Sequence, residues 1–200
     1  FVMMADTAPE LTDMVQRIQR YATNRELIIN AEKSKVLTFN KGSRRTKKCW
    51  TIGGAKYEEV STFVYLGVHF QSNGEFTRHI EAMAEKANRR ATEAWSIGEK
   101  LFPAKYETRK QMFKSLVEPI LLYGSEVTGY GNLEPLEKVQ RRYFKWILGL
   151  PKSTRNPIIM AEADALPIET LAMSRAVKYE CSIPGRACRT LHLFTGHMRQ

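Results

Sequence analysis

The chain has 200 residues, of which 43% are hydrophobic and 26% are charged, a balance that favours a folded globular protein over a disordered one. Lysine and arginine outnumber aspartate and glutamate by 31 to 21, so the formal net charge of +10 favours an anionic partner, above all nucleic acid. A membrane partner is not expected, because no apolar run reaches the roughly 18 residues of a spanning helix and no secretory signal is present.

The cysteines indicate the redox compartment. Cys49, Cys181 and Cys188 are odd in number and widely spaced, which predicts a reducing intracellular compartment, either the nucleus or the cytoplasm. His79 and the pair Cys181 and Cys188 do not have metal-ligand spacing, so we predict no metal site in this chain. Because the chain opens on Phe1 and not on methionine, we expect it to be a piece of a longer protein.

The first 75 residues mix helix and strand signals. Residues 1–5 form a short apolar run with β character, and either Asp6 or Thr7 caps a helix from about residue 8 to 24. Strand signals follow at 35–39, 49–52 and 63–70, with turn residues at 40–43, at Gly53-Gly54 and at Asn73-Gly74.

From about residue 76 the apolar period becomes helical. The final 20 residues, 181–200, have weak periodicity and are predicted to be either a poorly ordered tail or the degraded end of a longer region. Four helical stripes are predicted: 80 to about 101; 112 to about 124 with a kink at Pro119; 136–148, stopped by Gly149 and Pro151; and 167 to about 179.

Two short motifs in the first region carry a family resemblance. Asn30, Lys33 and Ser34 follow the first helix in the pattern Asn-x-x-Lys-Ser, and Tyr65-Leu66-Gly67 comes later. In this order they resemble motifs D and E in the polymerase domain of reverse transcriptases from non-LTR (LINE-type) retrotransposons. In that family, a hairpin that bears paired aspartates precedes these motifs, and residues 1–5 resemble the strand directly after it.

The resemblance covers residues 1 to about 180 and implies an α+β fold. Residues 1–75 would be the C-terminal part of the palm, with residual strands and a helix, and 76–180 an all-helical thumb-like bundle with the region that follows it. The segments Leu-Pro-Lys-Ser-Thr-Arg at 150–155 and Ala-Leu-Pro-Ile-Glu at 165–169 also resemble this family.

The paired aspartates have no counterpart in this sequence and would lie just before Phe1. Met4-Ala5-Asp6-Thr7 can be read as a decayed aspartate motif, but the place of Asp6 before a helix favours a capping role. Two-metal phosphoryl transfer needs carboxylates that hold both ions about 4 Å apart. The resemblance therefore implies Mg²⁺ in the full-length enzyme, no cofactor in this chain, and the N-terminal part of the same polymerase as a partner.

Four residues of the two motifs are candidates for direct roles. Lys33 could stabilise charge on the leaving pyrophosphate or donate a proton to it, and the alternative is a solvated loop lysine. Tyr65, Leu66 and Gly67 could form a turn that grips the primer, with Gly67 allowing close approach of the backbone. The alternative for this tripeptide is an ordinary strand with a bulge.

Clustered cations predict a basic groove for an RNA template and an RNA–DNA or DNA duplex, although charge runs are often only solvated surface. Trp95 falls on the apolar stripe of its helix and is predicted to pack in the core. The cations are Lys41, Arg44, Arg45, Lys47 and Lys48 in one loop, Arg78, Arg89 and Arg90 with Lys86 on one helix, and Arg141 and Arg142 with Lys138 and Lys145 on another.

Three functions remain open at this point. The first is a fragment of an RNA-directed DNA polymerase that binds the primer–template duplex. The second is a catalytically dead remnant that retains only nucleic-acid binding, and the third is a helical protein-interaction domain whose basic charge is incidental. Ala-Asp-Asp upstream of Phe1 would favour the first, and failure to bind an RNA–DNA hybrid at low salt would favour the third.

Overall fold

The computed structural model describes residues 2–30, 32–39, 49–52 and 54–183. The chain has an α+β fold, as predicted. It consists of two compact units, Phe1–Glu75 and Phe76–Gln200. In the described residues, the strands lie in the first unit and the second is helical.

Helix α1 (Ala8–Asn24) opens the first unit with the bounds that its periodicity predicted. Its cap is Thr7 and not Asp6. The Thr7 hydroxyl accepts from the Glu10 backbone N–H at 3.4 Å, and the Glu10 carboxylate accepts from the Thr7 backbone N–H at 3.2 Å. This capping box satisfies two donors that the first turn leaves without helical partners.

Helix α1 packs on a three-stranded sheet formed by β1 (Lys35–Val36), β2 (Cys49–Ile52) and β3 (Ala55–Glu59). The strand order is β1-β3-β2, with β1 parallel and β2 antiparallel to β3. Val15 of α1 and Tyr57 of β3 are the buried centre of this small core.

Several strand predictions for this unit were wrong. Residues 2–5 do not form a strand, because a strand needs a hydrogen-bonded neighbour and none pairs with them among the described residues. The strand expected at 35–39 stops at Val36, and β3 was not predicted. The run 63–70 is not one strand but an antiparallel hairpin of β4 (Thr62–Tyr65) and β5 (Val68–Gln71).

The second unit begins with α2, and all four predicted stripes are helical. Helix α6 ends at Gly149, which has a φ of 65°, and α8 extends to Ser182, two residues into the predicted tail; residues 184–200 lie outside the described ranges. The helices are α2 (Thr77–Leu101), α3 (Tyr106–Leu116), α4 (Glu118–Leu121), α5 (Ser125–Thr128), α6 (Glu134–Leu148), α7 (Asn156–Glu162) and α8 (Ile168–Ser182).

Pro119 has a larger effect than the predicted kink. The helix breaks at Val117 into α3 and α4, and Pro119 lies in the first turn of α4. Because proline lacks an N–H, a helix accommodates it best in the first turn. The chain therefore starts a new helix where the sequence suggested a bend. Helices α5 and α7 are short and were not predicted.

The core of the second unit is built on the small residues of α2. Ala87, Ala91 and Ala94 are at most 1% exposed, so α3 and α6 can approach α2 closely. Phe113 of α3 packs against Tyr143 and Phe144 of α6, with ring centroids 5.0 Å apart in both pairs. Burial raises the pKa of Tyr143 to about 12, and its hydroxyl donates to the Arg109 carbonyl at 2.9 Å.

Side chains of α3 and α6 hold the connection from α7 to α8. Four side chains make hydrogen bonds to its backbone. Three of them donate to carbonyls: Tyr106 Oη to Ala163 (3.0 Å), Lys110 Nζ to Asp164 (2.9 Å) and Gln140 Nε2 to Leu166 (2.9 Å). The fourth, Glu137 Oε1, accepts from the Glu169 N–H (2.8 Å). Two of these bonds, at Leu166 and Glu169, fall in the segment 165–169 that the resemblance singled out, and the other two hold the residues directly before it.

Gly129 lets the backbones of α5 and α8 approach each other. A Cβ at this position would lie 2.6 Å from the Ser125 carbonyl oxygen and 2.7 Å from that of Ala172. We expect Gly129→Ala to lower the free energy of unfolding of the helical unit by about 1–3 kcal/mol, since backbone atoms must shift. Thermal unfolding followed by circular dichroism measures this loss.

Gly131→Ala is the matched control. A Cβ at Gly131 would lie 3.2 Å from Ile80 Cδ1, the far end of a flexible side chain, and 3.3 Å from the Thr128 carbonyl oxygen. We expect the control to cost clearly less than Gly129→Ala. Equal losses would show that close backbone approach is not what requires glycine at position 129.

Candidate nucleic-acid interface

Most of the net positive charge lies outside the described residues. Lys41, Arg44, Arg45, Lys47 and Lys48 all fall in that part of the chain, as do the arginines of 184–200. The described residues contain 23 lysines and arginines against 21 aspartates and glutamates, a net charge of only +2. For these residues, the arrangement of charge therefore matters more than its total.

Two of the four cations predicted on α2 are matched by acids on the same helix. Arg90 Nη1 lies 2.9 Å from Glu93 Oε2, and Arg89 Nη2 lies 3.9 Å from Glu85 Oε1. Arg78, in the first turn of α2, is exposed. The binding role of these three arginines stays a prediction.

Arg141 is held inside the fold. Its side chain is 13% exposed and lies 2.6 Å from Glu134 Oε1 and 3.5 Å from Glu137 Oε2. Glu137 also accepts from the backbone N–H of Glu169 at the start of α8. Arg141 therefore links α6 to the α8 start through a shared carboxylate, and the sequence signal for this pairing was the acids four and seven residues before it.

The outward face of α6 carries cations that pair with no carboxylate of the described residues. Lys138, Arg142 and Lys145 recur every three to four residues, opposite the buried stripe of the helix. Lys145 Nζ donates to the Lys152 carbonyl at 2.6 Å. This bond holds the loop after α6, which contains exposed Lys152, near the same face. We call these four residues the basic row. Within the described ranges, none of them forms an ion pair.

An aromatic pair supports the middle of the basic row. The Arg142 guanidinium lies 4.7 Å from the centroid of the Trp146 ring, and Trp146 packs on Trp95 of α2 at 5.5 Å. Trp95 is packed against the core, as predicted. Stacking on an aromatic ring orients the guanidinium while its N–H groups stay available to an acceptor.

The Asn-x-x-Lys-Ser segment forms a compact turn. Asn30 Oδ1 accepts from the Lys33 backbone N–H at 3.0 Å, and the Ser34 hydroxyl donates to the Asn30 carbonyl at 2.8 Å. The Lys33 side chain is exposed. Lys35 instead pairs with Glu58 across the sheet at 2.7 Å. The asparagine and serine thus shape the turn that presents Lys33, and Lys35 belongs to the sheet.

The Tyr-Leu-Gly motif forms the tip of the β4–β5 hairpin. Tyr65 pairs with Val68, so Leu66 and Gly67 are the two turn residues. Both have positive φ, 47° for Leu66 and 77° for Gly67, as a type I′ turn requires. Leucine is unfavourable in this conformation, and here its side chain is 74% exposed. The tip therefore presents a strained apolar residue to solvent.

The strain at Leu66 is testable by substitution. Asparagine tolerates the left-handed region, so we expect Leu66→Asn to raise the free energy of opening of the β4–β5 hairpin by about 1 kcal/mol. Amide hydrogen exchange of the hairpin residues measures this change locally. Leu27→Asn, at another well-exposed leucine whose φ is not positive, serves as the control. Unchanged or faster exchange in Leu66→Asn would show that the turn is not strained.

The described residues offer neither a membrane span nor a metal site. In these ranges no helix combines the length and apolarity needed to cross a membrane. The same ranges contain no group of three or more histidine, cysteine, aspartate or glutamate side chains that could hold a metal ion.

Comparison with known proteins gives one distant relative. Over 147 residues, 70% of this chain, the sequence is 26% identical to the RNA-directed DNA polymerase from mobile element jockey of Drosophila melanogaster. The chain spans 16% of that protein's length. No protein-family model and no solved structure matches the chain. The match supports a distant relationship to a reverse transcriptase of a mobile element.

Proposed function

We propose that this chain is the C-terminal part of the polymerase domain of a non-LTR retrotransposon reverse transcriptase and that it binds the primer–template duplex. The observation that carries the proposal is the basic row on α6 and the loop after it, an outward line of cations that no described carboxylate neutralises. The distant similarity to a mobile-element polymerase supports the reverse-transcriptase part.

The spacing of the row suits a nucleic-acid backbone. Lys138 and Lys145 are seven residues apart on α6, so their Cα atoms are about 10 Å apart along the helix. Cations at such intervals contact phosphates and displace their counterions. Such contacts depend on charge and shape and not on base sequence. A polymerase needs this kind of contact, since it must move along every sequence that it copies.

The first unit is proposed to contact the primer end. The exposed Leu66 at the hairpin tip offers an apolar side chain for a sugar, and Gly67 beside it leaves room for the backbone. Lys33, presented by its turn, is proposed to stabilise charge on the leaving pyrophosphate. The described residues do not fit a Mg²⁺ site, so no step is assigned to a metal ion in this chain.

Removal of charge from the basic row tests the proposal. We expect the double variant Lys138→Gln/Arg142→Gln to weaken binding of an RNA–DNA hybrid. The slope of log K against log salt should fall by about 2, because each substitution leaves one phosphate without its cation. Fluorescence anisotropy of a labelled hybrid across a salt series gives both quantities.

Lys114→Gln/Lys178→Gln is the charge-matched control. Both lysines are exposed on other helices of the same unit, so the control removes the same net charge without touching the row. We expect the control to change the salt slope much less. An equal effect of both double variants would mean that the total charge and not the row determines binding. No binding of the hybrid by the unsubstituted chain at low salt would contradict the proposed function itself.

A further inference from the structure

The outward face of helix α1, in the first unit, combines arginines with an exposed tyrosine. The helix buries Val15 and Ala22. With 3.6 residues per turn, Arg20 and Asn24 lie on the opposite side of the helix axis. We call the exposed residues on and beside this outward face, which recur at three- and four-residue spacing, the arginine–tyrosine patch: Arg17, Arg20, Tyr21, Asn24 and Arg25.

The tyrosine ring of the patch is open to a ligand. Tyr21 is 57% exposed, and the Arg25 guanidinium carbon lies 5.7 Å from the centroid of its ring. A guanidinium placed over a ring keeps its N–H groups available to an acceptor. In the basic row, Trp146 is instead packed on Trp95, whereas no second aromatic ring contacts Tyr21 among the described residues. Tyr21 is therefore available for stacking.

Two of the three arginines are available to phosphates. Arg17 is paired with Asp13, with 2.7 Å between Nη2 and Oδ2. Arg20 and Arg25 form no ion pair with any described residue, including Glu26, the exposed acid that follows Arg25. Around the helix axis, the ring of Tyr21 lies between these two arginines. A strand that stacks on the ring thus meets a cation on either side.

We infer that the arginine–tyrosine patch binds a single-stranded nucleic acid, with an unpaired base stacked on Tyr21 and neighbouring phosphates on Arg20 and Arg25. Aromatic rings stack on any unpaired base, and cations beside them hold the backbone. The bases of a duplex stack on one another and cannot reach such a ring, so the ligand differs from that of the basic row. The patch therefore goes beyond the proposed duplex contact and does not depend on it.

The composition of the helix face favours nucleic acid over a membrane. A helix that lies on a membrane inserts a face of aliphatic and aromatic side chains into the lipid. On α1 the aliphatic side chains face the sheet, and exposed Leu27 and Ile28 come after the helix has ended. Beside Tyr21 the face instead presents Asn24, whose amide can donate to and accept from a base edge.

Strands with and without bases test the stacking step on the full chain. The probes are a labelled thymidine strand of about 12 nucleotides and an abasic strand with the same backbone. By fluorescence anisotropy, we expect the thymidine strand to bind at least fivefold more tightly than the abasic one, because stacking on an aromatic ring contributes at least this factor per base. Tyr21→Leu should remove most of this preference, and Tyr21→Phe should keep it.

Tyr179→Leu is the matched control, at a tyrosine of α8 that is 48% exposed, and it should keep the preference. Equal binding of the two strands by the unsubstituted chain, or an unchanged preference in Tyr21→Leu, would overturn the inference. A uridine strand of the same length extends the test to RNA. The strand that Tyr21→Leu weakens identifies RNA or DNA as the ligand, and weakening of neither overturns the inference.

Removal of two charges tests the phosphate contacts. For Arg20→Gln/Arg25→Gln, we expect the slope of log K against log salt for the thymidine strand to fall by about 1.4, since each phosphate contact on a single strand contributes about 0.7. Lys114→Gln/Lys178→Gln removes the same charge from the other unit and should change the slope much less. Equal changes in both double variants would contradict a phosphate site at the patch. Thermal unfolding verifies that each variant folds.

Two further measurements separate this inference from its rivals. Tyr21→Leu should leave binding of the RNA–DNA hybrid unchanged, so failure of the patch and failure of the proposed duplex contact give different results. Vesicles of phosphatidylcholine and phosphatidylserine should not compete with the thymidine strand. If they compete with it on the unsubstituted chain and not on Tyr21→Leu, the patch contacts a membrane and the inference fails.

Discussion

The helical unit depends on the small residues along one face of α2. Ala87, Ala91, Ala94 and Gly98 occupy successive turns of that face and are buried, so two helices with aromatic side chains can pack against it. Gly98 has no room for a larger side chain without displacement of Arg109. The outward position of α6, which carries Lys138, Arg142 and Lys145 of the basic row, is set by this contact. A larger residue on the alanine face would therefore move the basic row.

Local chemistry made part of this fold predictable. The capping box at Thr7 and the left-handed end at Gly149 depend on residues close in sequence, so their signals survive without tertiary information. The ends of the strands could not be predicted from local sequence in this way. The β1 strand stops after Val36 because pairing with β3 ends there, and the position of β3 is not encoded within the residues of β1. The hairpin at Leu66 was also read as one strand, because leucine is not a typical residue for a type I′ turn.

The candidate site also combines features that local sequence predicts with features that depend on tertiary packing. Repetition of cations every three or four residues indicated a basic face on α6, and the structure does place Lys138, Arg142 and Lys145 outward. Glu134 and Glu137, seven and four residues before Arg141, signal its pairing within α6, but the bond from the Glu169 N–H that ties Glu137 to α8 depends on packing. Lys152 was not assigned, because its place depends on one hydrogen bond from Lys145. Sequence identifies the charges, and packing decides which of them remain available.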